Sequence, residues 1–383
     1  MQQVFISTEP GLEAFTLREL YELGLIRSTS TADNHDVDRM KGGIEFAGDY
    51  NAVYQANLAL RTASRVLIRM GSFHAAAFSE LRKKAGRLPW ERYLNPGQSV
   101  ALKVTCHKSK LYHQNAVAER VIGAIGDRLN RQPQLKDVTE NVKSEMPQLF
   151  IVRLVNNLCT VSADSSGELL HRRGYRLETA KAPLRETLAA GMIMASGWDM
   201  QSPLIDPFCG SGTIPIEAAM MANRIAPGGN RRFAFMDWPD FAPDIWQSVL
   251  EKSKPSASDS KAVILGSDRD AGAVQTAQAN AERAGVAEWI DFFCRAVSAI
   301  EPTATGWIAT NPPYGLRTGS GKDLRNLYAQ FGNVLRARFR GWHIAILCSD
   351  RALLGNLGVE LEITHSLSNG GIPVKLAVGV VEG

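Results

Sequence analysis

Cysteine is scarce in this chain, and no two cysteines stand close together. There are five in 383 residues, without a single C-x-x-C pair. A structural zinc site or a disulfide framework needs clustered cysteines, so we expect neither a metal nor a disulfide. Scattered thiols are typical of the reducing cytoplasm, which is where we expect the protein to work. The cysteines are Cys106, Cys159, Cys209, Cys294 and Cys348.

Long apolar runs and repeats are also missing. No stretch approaches the roughly eighteen uninterrupted apolar residues of a membrane span, and MQQVFISTEPG does not read as a signal peptide. The nearest thing to low complexity is KSKPSASDSK at 252–261, which we interpret as a surface loop. With 45% hydrophobic and 21% charged residues, the composition is typical of a globular protein. The length predicts about two or three domains.

Net charge is small, at +4, but it is unevenly distributed. Residues 1–190 hold 26 Lys and Arg against 20 Asp and Glu, whereas residues 191–383 hold 17 against 19. A basic front half and a slightly acidic back half suit a nucleic-acid-binding region joined to a small-molecule pocket. Ordinary solvated surface is the alternative explanation, and charge alone does not decide between the two.

The order of predicted elements changes near residue 190. Before it, strand and helix patterns suggest small α+β modules, ending in QLFIVRLVNNLCTVSADS, two strands around an Asn-Asn turn. After it, helices separate the first five strands, and the turn SLSNGGIP joins the last two in a hairpin. The pattern predicts a seven-stranded α/β sheet. The strand candidates are Pro203–Asp206, Ala262–Asp268, Trp289–Cys294, Trp307–Thr310, Trp342–Cys348, Val359–His365 and Val374–Val381.

The segment IDPFCGSGTIPIEAAM at 205–220 is the first candidate site. An apolar strand ends in Asp206, which can accept hydrogen bonds from an ammonium group or ordered water. Gly210 and Gly212 then permit a sharp turn and a close approach of the backbone to a ligand. A dinucleotide-binding fingerprint needs a third glycine, but Pro215 stands at its position. The unit D-P-F-C-G-S-G-T favours instead a pocket for S-adenosylmethionine (AdoMet).

A second acid is predicted to bind the cofactor's ribose. Asp268 ends the next strand, where related nucleotide folds place an acid on the ribose hydroxyls. It lies 56 residues after Gly212 rather than roughly 20, because the insertion RIAPGGNRRFAFMDWPDFAPDIW intervenes. Asp270 is the alternative ribose ligand, or it caps the helix AGAVQTAQANAERAG.

The turn TNPPYG at 310–315 is the predicted catalytic segment. An exocyclic amine on a nucleobase is a weak nucleophile, because its lone pair is delocalised into the ring. The Asn311 side-chain oxygen and the Pro312 carbonyl could accept its two protons, and Pro312 and Pro313 would keep these acceptors rigid. Tyr314 could stack on the base, a contact worth roughly 1–3 kcal/mol. A plain Asn-Pro-Pro loop is the alternative, but beside DPFCGSG the turn predicts methylation of a base amine.

These motifs, with HRRGYR (171–176) and APLRETLAAGM (182–192), resemble the bacterial THUMP-domain methyltransferases that make N2-methylguanosine in 23S rRNA. STEPGLE, GGIEFAGD, PWERYLNPG and CHKSKLYH extend the likeness over essentially the whole chain. The resemblance implies AdoMet as cofactor, RNA as partner and a class I, Rossmann-like α/β catalytic domain. The implied division is a ferredoxin-like segment (1–60), a THUMP RNA-binding domain (61–165), a basic linker (166–190) and the methyltransferase domain (191–383).

The resemblance also assigns cofactor-binding positions. It places Thr187 and Leu188 beside AdoMet, and the motif residues Phe208 and Arg269 belong to the same predicted set. After the third strand such enzymes usually carry an acid that contacts the adenine amino group. Ala296 occupies that place here, so we expect adenine to be held by backbone groups or apolar packing.

Two groups of basic residues are expected to contact RNA phosphates. One is the run around the linker, for which solubilising surface charge is the alternative explanation. The other follows the strand QSVALKVTCHKS. The residues are Arg172, Arg173, Arg176, Lys181 and Arg185 in the first group, and Lys108, Lys110 and His113 in the second.

The sequence leaves the substrate open. Ribosomal RNA is favoured by the full-length likeness, and tRNA is the first alternative, because THUMP domains also occur in tRNA methyltransferases. A DNA amino-methyltransferase is less consistent with the basic front half. A non-catalytic RNA-binding factor is less consistent with two intact motifs. Since no second methyltransferase segment follows within the 383 residues, one modification is expected rather than two.

Overall fold

The computed structural model describes most of the chain. At 37–40, 321 and 322 the description is limited to the backbone. The described residues are 1–27, 37–40, 42–136, 146–176, 184–254, 262–302, 304–314 and 321–382. None of the helices in these ranges is both long enough and apolar enough to cross a membrane.

A single eight-stranded sheet runs through the front half of the chain. Its spatial order is β2-β3-β1-β4-β8-β7-β5-β6, and only the pairs that β5 makes with β7 and β6 are parallel. The strands are β1 (Gln2–Thr8), β2 (Val37–Met40), β3 (Gly43–Gly48), β4 (Ala63–His74), β5 (Ser99–His107), β6 (Gln134–Leu135), β7 (Gln148–Val155) and β8 (Leu158–Asp164). The helices of this half are α1 (Glu13–Glu22), α2 (Tyr50–Ala59), α3 (Phe78–Ala85) and α4 (Gln114–Leu129).

Local signals account for several of these elements. Asp49 caps α2 by accepting a hydrogen bond from the Ala52 N–H at 2.9 Å. Asn156 and Asn157 both have positive φ, 50° and 65°, which suits a tight turn between β7 and β8. The predicted pair of strands around an Asn-Asn turn is therefore confirmed. Strand β4 joins the two expected modules, because it pairs with β1 on one side and β8 on the other.

The back half forms the predicted seven-stranded sheet, in the order β11-β10-β9-β12-β13-β15-β14. Strand β15 is antiparallel to both its neighbours, and the other pairs are parallel. The strands are β9 (Leu204–Asp206), β10 (Ile264–Asp268), β11 (Ile290–Cys294), β12 (Trp307–Thr310), β13 (His343–Cys348), β14 (Glu362–Asn369) and β15 (Ile372–Val380). The helices are α5 (Glu186–Ser196), α6 (Thr213–Ala222), α7 (Pro243–Lys252), α8 (Ala271–Ala284), α9 (Gly321–Arg338) and α10 (Arg351–Gly355).

Two details of the prediction were wrong. The connection from β11 to β12 has only a short 3-10 helix, Val297–Ala299, in its described part; Pro302 follows and cannot donate a helical hydrogen bond. The final hairpin turns at Gly370 and Gly371, whose φ values are 58° and 86°. Most of SLSNGGIP is therefore strand rather than turn, because two glycines suffice to reverse the chain.

The long insertion between α6 and β10 packs against the front half of the chain. Phe233, Phe235 and Trp238 are buried in the same core as the N-terminal helices. The Phe235 ring stacks on Tyr54 of α2 with centroids 4.3 Å apart, and the Tyr54 hydroxyl accepts a hydrogen bond from the Ala242 N–H at 3.1 Å. The insertion thus joins the catalytic sheet to the N-terminal sheet.

Candidate active site

The glycine loop after β9 has the geometry that a cofactor pocket needs. Gly210 and Gly212 both have left-handed backbones, with φ of 51° and 82°. A Cβ on Gly212 would lie 2.9 Å from the Cβ of Ala277, so helix α8 leaves room only for glycine. A Cβ on Gly210 would meet nothing within 4 Å. Gly212 is therefore required for packing, whereas Gly210 borders open space that a ligand can enter.

Asp206 connects the glycine loop to the predicted catalytic turn. Its Oδ1 accepts a hydrogen bond from the Thr310 hydroxyl at 2.6 Å and another from the Phe208 N–H at 3.1 Å. The side chain is buried, and this burial raises the pKa of Asp206 to about 7, with the nearby Asp268 contributing in the same direction. Asp206 was predicted to accept hydrogen bonds from a ligand ammonium or ordered water, and this stays a prediction. In the structure its Oδ1 also positions Thr310, the residue before Asn311.

The two candidate ribose ligands have separate roles. Asp268 accepts hydrogen bonds from the Gly210 N–H at 3.1 Å and the Asp270 N–H at 3.0 Å. Asp270 caps α8 by accepting from the N–H groups of Gly272 and Ala273 at 2.8 and 3.3 Å. This geometry supports the capping alternative for Asp270 and favours Asp268, which touches the glycine loop, as the ribose ligand.

The remaining predicted cofactor residues lie around these strand ends. Leu188 is fully buried, and Phe208 packs edge-on against Phe331 with centroids 5.3 Å apart. Arg269 is exposed. Ala296 is also exposed and follows Arg295, whose N–H donates to the Asp268 carbonyl at 2.9 Å. Ala296 therefore lies at the expected edge of the sheet, with no side-chain polar group to offer adenine.

At the predicted catalytic turn, a buried acceptor has no partner. The Asn311 Oδ1 makes no hydrogen bond to any described residue, and the same is true of the buried Thr187 Oγ1 at the start of α5. Leaving such a group unpaired costs about 1–3 kcal/mol, so these two atoms are free to accept hydrogen bonds from a ligand. The residues present therefore fit a polar cofactor and a substrate with donor groups. Pro312 is buried beside Asn311, and Pro313 is half-buried.

Tyr314 is anchored by a residue that the sequence did not reveal. Its ring is half-buried, and its hydroxyl accepts a hydrogen bond from the Asn369 Nδ2 at 3.1 Å. Burial raises the pKa of Tyr314, so the hydroxyl stays protonated at neutral pH. Asn369 lies at the end of β14, in the segment predicted to be a turn, and no local pattern pointed to it.

The structure removes Arg173 and Arg176 from the predicted RNA-binding set. Arg173 is 1% exposed and forms an ion pair with the fully buried Glu217 of α6 at 3.3 Å. Arg176 is 10% exposed and donates to the hydroxyl of Thr213 at the start of α6. Both side chains point inward because a buried arginine needs acceptors, and α6 supplies them. Their role is to hold the helix that follows the glycine loop.

Two other described positions of the linker group, Arg172 and Arg185, are at least partly exposed. Arg172 is 59% exposed and pairs with Glu168 at 2.9 Å, and Arg185 pairs with Glu9. Lys181 lies outside the described residues.

The second basic group, Lys108, Lys110 and His113, is exposed in the loop after β5. Tyr112, on the same loop, is 66% exposed, and its ring packs on His113 with ring centroids 4.1 Å apart.

Three known families match consecutive parts of the chain. The RlmL ferredoxin-like domain matches residues 3–67, and the THUMP domain matches residues 75–164. The UPF0020 family, described as an RMKL-like methyltransferase domain, matches residues 173–367, about half of the chain. The predicted fold class is confirmed, while the exact domain boundaries stay a prediction.

Two curated relatives cover nearly all of this chain. The Synechocystis protein slr0064, which is named as an RNA methyltransferase, is 35% identical over 97% of this chain and 95% of its own length. The ribosomal RNA large subunit methyltransferase K/L of Methylococcus capsulatus is 34% identical over 98% of this chain. The chain spans 51% of that second relative.

Two solved structures share the fold of nearly the whole chain. SMU.472, described as a methyltransferase and solved in complex with SAH, superposes with a TM-score of 0.86 at 28% identity, covering 100% of this chain and 98% of that one. A Listeria monocytogenes protein described as an N6-adenine-specific DNA methylase gives 0.85 at 31% identity, covering 98% and 95%. With its three matched domains, this chain belongs to the UPF0020 family of RMKL-like methyltransferases and is an AdoMet-dependent RNA methyltransferase.

Proposed function

We propose that this protein transfers the methyl group of AdoMet to the N2 amino group of a guanosine in 23S rRNA. The observation that carries the proposal is the buried Oδ1 of Asn311, which has no hydrogen-bond partner among the described residues. Asn311 directly follows Thr310, whose hydroxyl donates to Asp206. A buried acceptor at this point suits a donor with two protons, which is what an exocyclic base amine offers.

Ribosomal RNA as the target is supported by the Methylococcus relative, whose name states the large-subunit RNA as its substrate. Because this chain spans about half of that protein, the relative's substrate is a proposal here. The guanine N2 assignment rests on the motif resemblance, since nothing in NPPYGLR by itself separates guanine from adenine.

The residues of the turn prepare the amine for methylation. Asn311 Oδ1 and the Pro312 carbonyl accept hydrogen bonds from the two amino protons, which favours a pyramidal nitrogen with its lone pair directed at the donor. Asp206 holds Thr310, and proline stiffness fixes the next residues, so the acceptors are placed before the substrate arrives. Tyr314 stacks on the base, and Asn369 holds its hydroxyl.

When bound, AdoMet supplies an electrophilic methyl group on a sulfonium. Asp268 would hold the cofactor's ribose, and Gly210 would let the protein backbone approach the cofactor closely. The amine becomes acidic once it is alkylated, so its proton leaves to water and no strong general base is required. The rate gain comes from proximity and from fixed acceptors rather than from acid–base chemistry.

An adenine amine in DNA is the second candidate, and the Listeria structure described as a DNA methylase favours it. The same turn would serve either base, because both present an exocyclic amine. The THUMP domain matched at 75–164 and the basic front half favour RNA over this candidate.

The test is methyl transfer from labelled AdoMet to 23S rRNA, tRNA and DNA from cells lacking the gene, with the product nucleoside identified by mass spectrometry. We expect N2-methylguanosine in 23S rRNA, and none with Asn311→Ala. The same nucleoside in tRNA alone would move the target, whereas methyladenine in any pool would overturn the base assignment. No label in any pool would overturn the proposal. A rise in melting temperature with AdoMet tests cofactor binding separately.

A further inference from the structure

Three stretches of the N-terminal half contain no acidic residue. No Asp or Glu occurs in 63–79, 99–118 or 146–163, although the whole chain has 39. These stretches include strands β4, β5 and β7 and most of β8. They carry six cations and three histidines. The residues are Arg65, Arg69, Lys103, Lys108, Lys110 and Arg153, with His74, His107 and His113.

Several of these basic side chains lie on one face of the sheet. Side chains alternate along β5: Leu102, Val104 and Cys106 pack against the N-terminal core, so Lys103, Thr105 and His107 lie on the opposite face. All three are exposed. The described helices therefore cover one face of β5 and leave the other to solvent.

The pairing register continues this open face across the sheet. Thr105 pairs with Arg153 of β7, and Arg153 pairs in turn with Thr160 of β8. The Thr160 hydroxyl lies 2.9 Å from the Ser72 hydroxyl on β4. Arg153 and Ser72 are exposed.

The neighbouring row begins at Lys103 and passes through Ile151 and Ser162 to Arg69. Arg69 donates to Ser162 at 3.1 Å and pairs with Glu45, an acid of β3, at 2.9 Å. The two rows together place hydroxyl and basic side chains on this face, with the apolar Ile151 and the buried Ser162 between Lys103 and Arg69.

The loop after β5 extends this surface. The Ser109 hydroxyl donates to the His107 carbonyl at 3.0 Å and accepts from the Asn157 N–H at 3.0 Å, while Asn157 Oδ1 accepts from the Lys110 N–H at 2.7 Å. These bonds hold the loop against the β7–β8 turn. The exposed Tyr112 lies on this loop and offers a ring on which a base can stack.

The helical side of the N-terminal sheet, formed by α3 and α4, has a different arrangement of charges from the open face. A cavity of about 590 Å³ between α3 and α4 is lined by several arginines. Two of the four cations that line it already have partners: Arg82 pairs with Asp127 at 2.7 Å, and Arg128 with Glu91 at 2.6 Å. A polyanion gains less from cations whose charge is already neutralised.

We propose that the open sheet face, defined by Lys103, Thr105, His107, Arg153 and the 108–113 loop, binds the sugar-phosphate backbone of the substrate RNA. Hydroxyls and cations without adjacent carboxylates suit phosphate oxygens. Two described acids, Glu45 and Asp164, lie on this side of the sheet, and each is already paired with an arginine, Arg69 and Arg65 respectively. The inference rests on the proposed RNA substrate and identifies a surface that binds its backbone, on a different sheet from the one that carries the catalytic turn.

The test compares two double variants of the full-length protein. Lys103→Ala with Arg153→Ala removes two cations of the open face. Lys83→Ala with Arg87→Ala removes two exposed cations of the helical side and is the matched control. Affinity for unmodified 23S rRNA transcribed in vitro is measured between about 50 and 200 mM salt, a range over which binding through several phosphate contacts weakens by orders of magnitude.

We expect the open-face variant to bind at least about tenfold more weakly at low salt, with a log–log salt slope shallower by about 1.4 to 1.8. The control is expected to bind like the wild type, and both variants should bind AdoMet normally. An unchanged slope for the open-face variant, or an equal loss in the control, would overturn the inference. A failure of the proposed reaction can be told apart from a failure of this inference. The reaction is tested by the nucleoside that the wild-type protein forms, whereas the inference is tested by the RNA affinity of the variants.

Discussion

The Thr310 hydroxyl donates a 2.6 Å hydrogen bond to the buried carboxyl of Asp206, and so joins residues 104 positions apart in the chain. Asp206 ends β9 and Thr310 ends the neighbouring β12, so the bond ties the glycine loop to the first residue of the catalytic turn. It gives the two motifs a fixed relative position, which methyl transfer over a short distance requires.

The burial of Asp206 predicts an unusual pH dependence of stability. Burial raises the pKa of Asp206 to about 7, from 3.8 in its ordinary state, so the folded protein holds a proton that the unfolded chain has lost. The stabilisation is fully present below about pH 4 and is lost as pH rises through 7. Relative to wild type, Asp206→Asn should therefore melt progressively higher as pH rises from 5 to 8, without cofactor. Asp291→Asn, an exposed acid of β11, is the control; parallel curves for Asp206→Asn and wild type would contradict this assignment.

Removing the acceptor at residue 311 should separate catalysis from cofactor binding. We expect Asn311→Ala to lower kcat by about 100-fold or more, because a preorganised hydrogen-bond partner is lost, while the Kd for AdoMet changes little. Asn311→Asp keeps an oxygen acceptor and should retain more activity than the alanine variant. Single-turnover methyl transfer and calorimetric AdoMet binding measure the two effects. More than a tenth of wild-type activity in Asn311→Ala would remove the residue from this role.

Alanine substitution of Asp268 and of Asp270 should have different effects on AdoMet affinity and on stability. Asp268→Ala is expected to weaken AdoMet binding by about tenfold or more, because it also removes the acceptor of the Gly210 N–H. Asp270→Ala should leave affinity within about threefold but destabilise the protein by about 1 kcal/mol, since a helix cap is lost. Calorimetry measures the AdoMet affinity of both variants, and thermal melts measure their stability. If Asp270→Ala has the larger effect on affinity, the ribose ligand has been misassigned.

The bond between Tyr314 and Asn369 predicts a coupled effect on the RNA step. Asn369→Ala should lower kcat/KM for RNA several-fold without changing AdoMet affinity, because the ring that stacks on the base loses its anchor. Tyr314→Phe removes the same bond, so the double variant should be little worse than either single one, with a coupling of about 1 kcal/mol. Purely additive effects would show that the bond does not position the ring.

The buried ion pair predicts a stability effect where an RNA effect was first expected. Arg173→Ala should destabilise the protein by about 3–5 kcal/mol, because it leaves Glu217 buried without its partner. Arg172→Ala, at an exposed pair, should cost at most about 1 kcal/mol. Thermal melts compare the two. A normal melting temperature for Arg173→Ala, with weakened RNA binding, would return Arg173 to the RNA-binding set.

The sequence by itself determined the elements whose signals are local. The strand, glycine turn and helix around DPFCGSG, the Asp270 cap and the Asn-Asn hairpin each depend on residues a few positions apart, so composition and spacing predicted them. The motifs also predicted the cofactor and the reaction class, because a strand-end acid, a glycine loop and an Asn-Pro-Pro turn carry their chemistry in short segments.

Only the tertiary structure decided the contacts between distant segments. Asp206 holds Thr310, Asn369 holds Tyr314, and Glu217 draws Arg173 into the interior, none of which follows from neighbouring residues. The insertion that seemed only to lengthen a spacing packs its aromatic rings on α2. The physical reason is the same in each case: a buried polar group takes its partner from whichever strand or helix the fold brings within about 3 Å, and chain order does not encode that proximity.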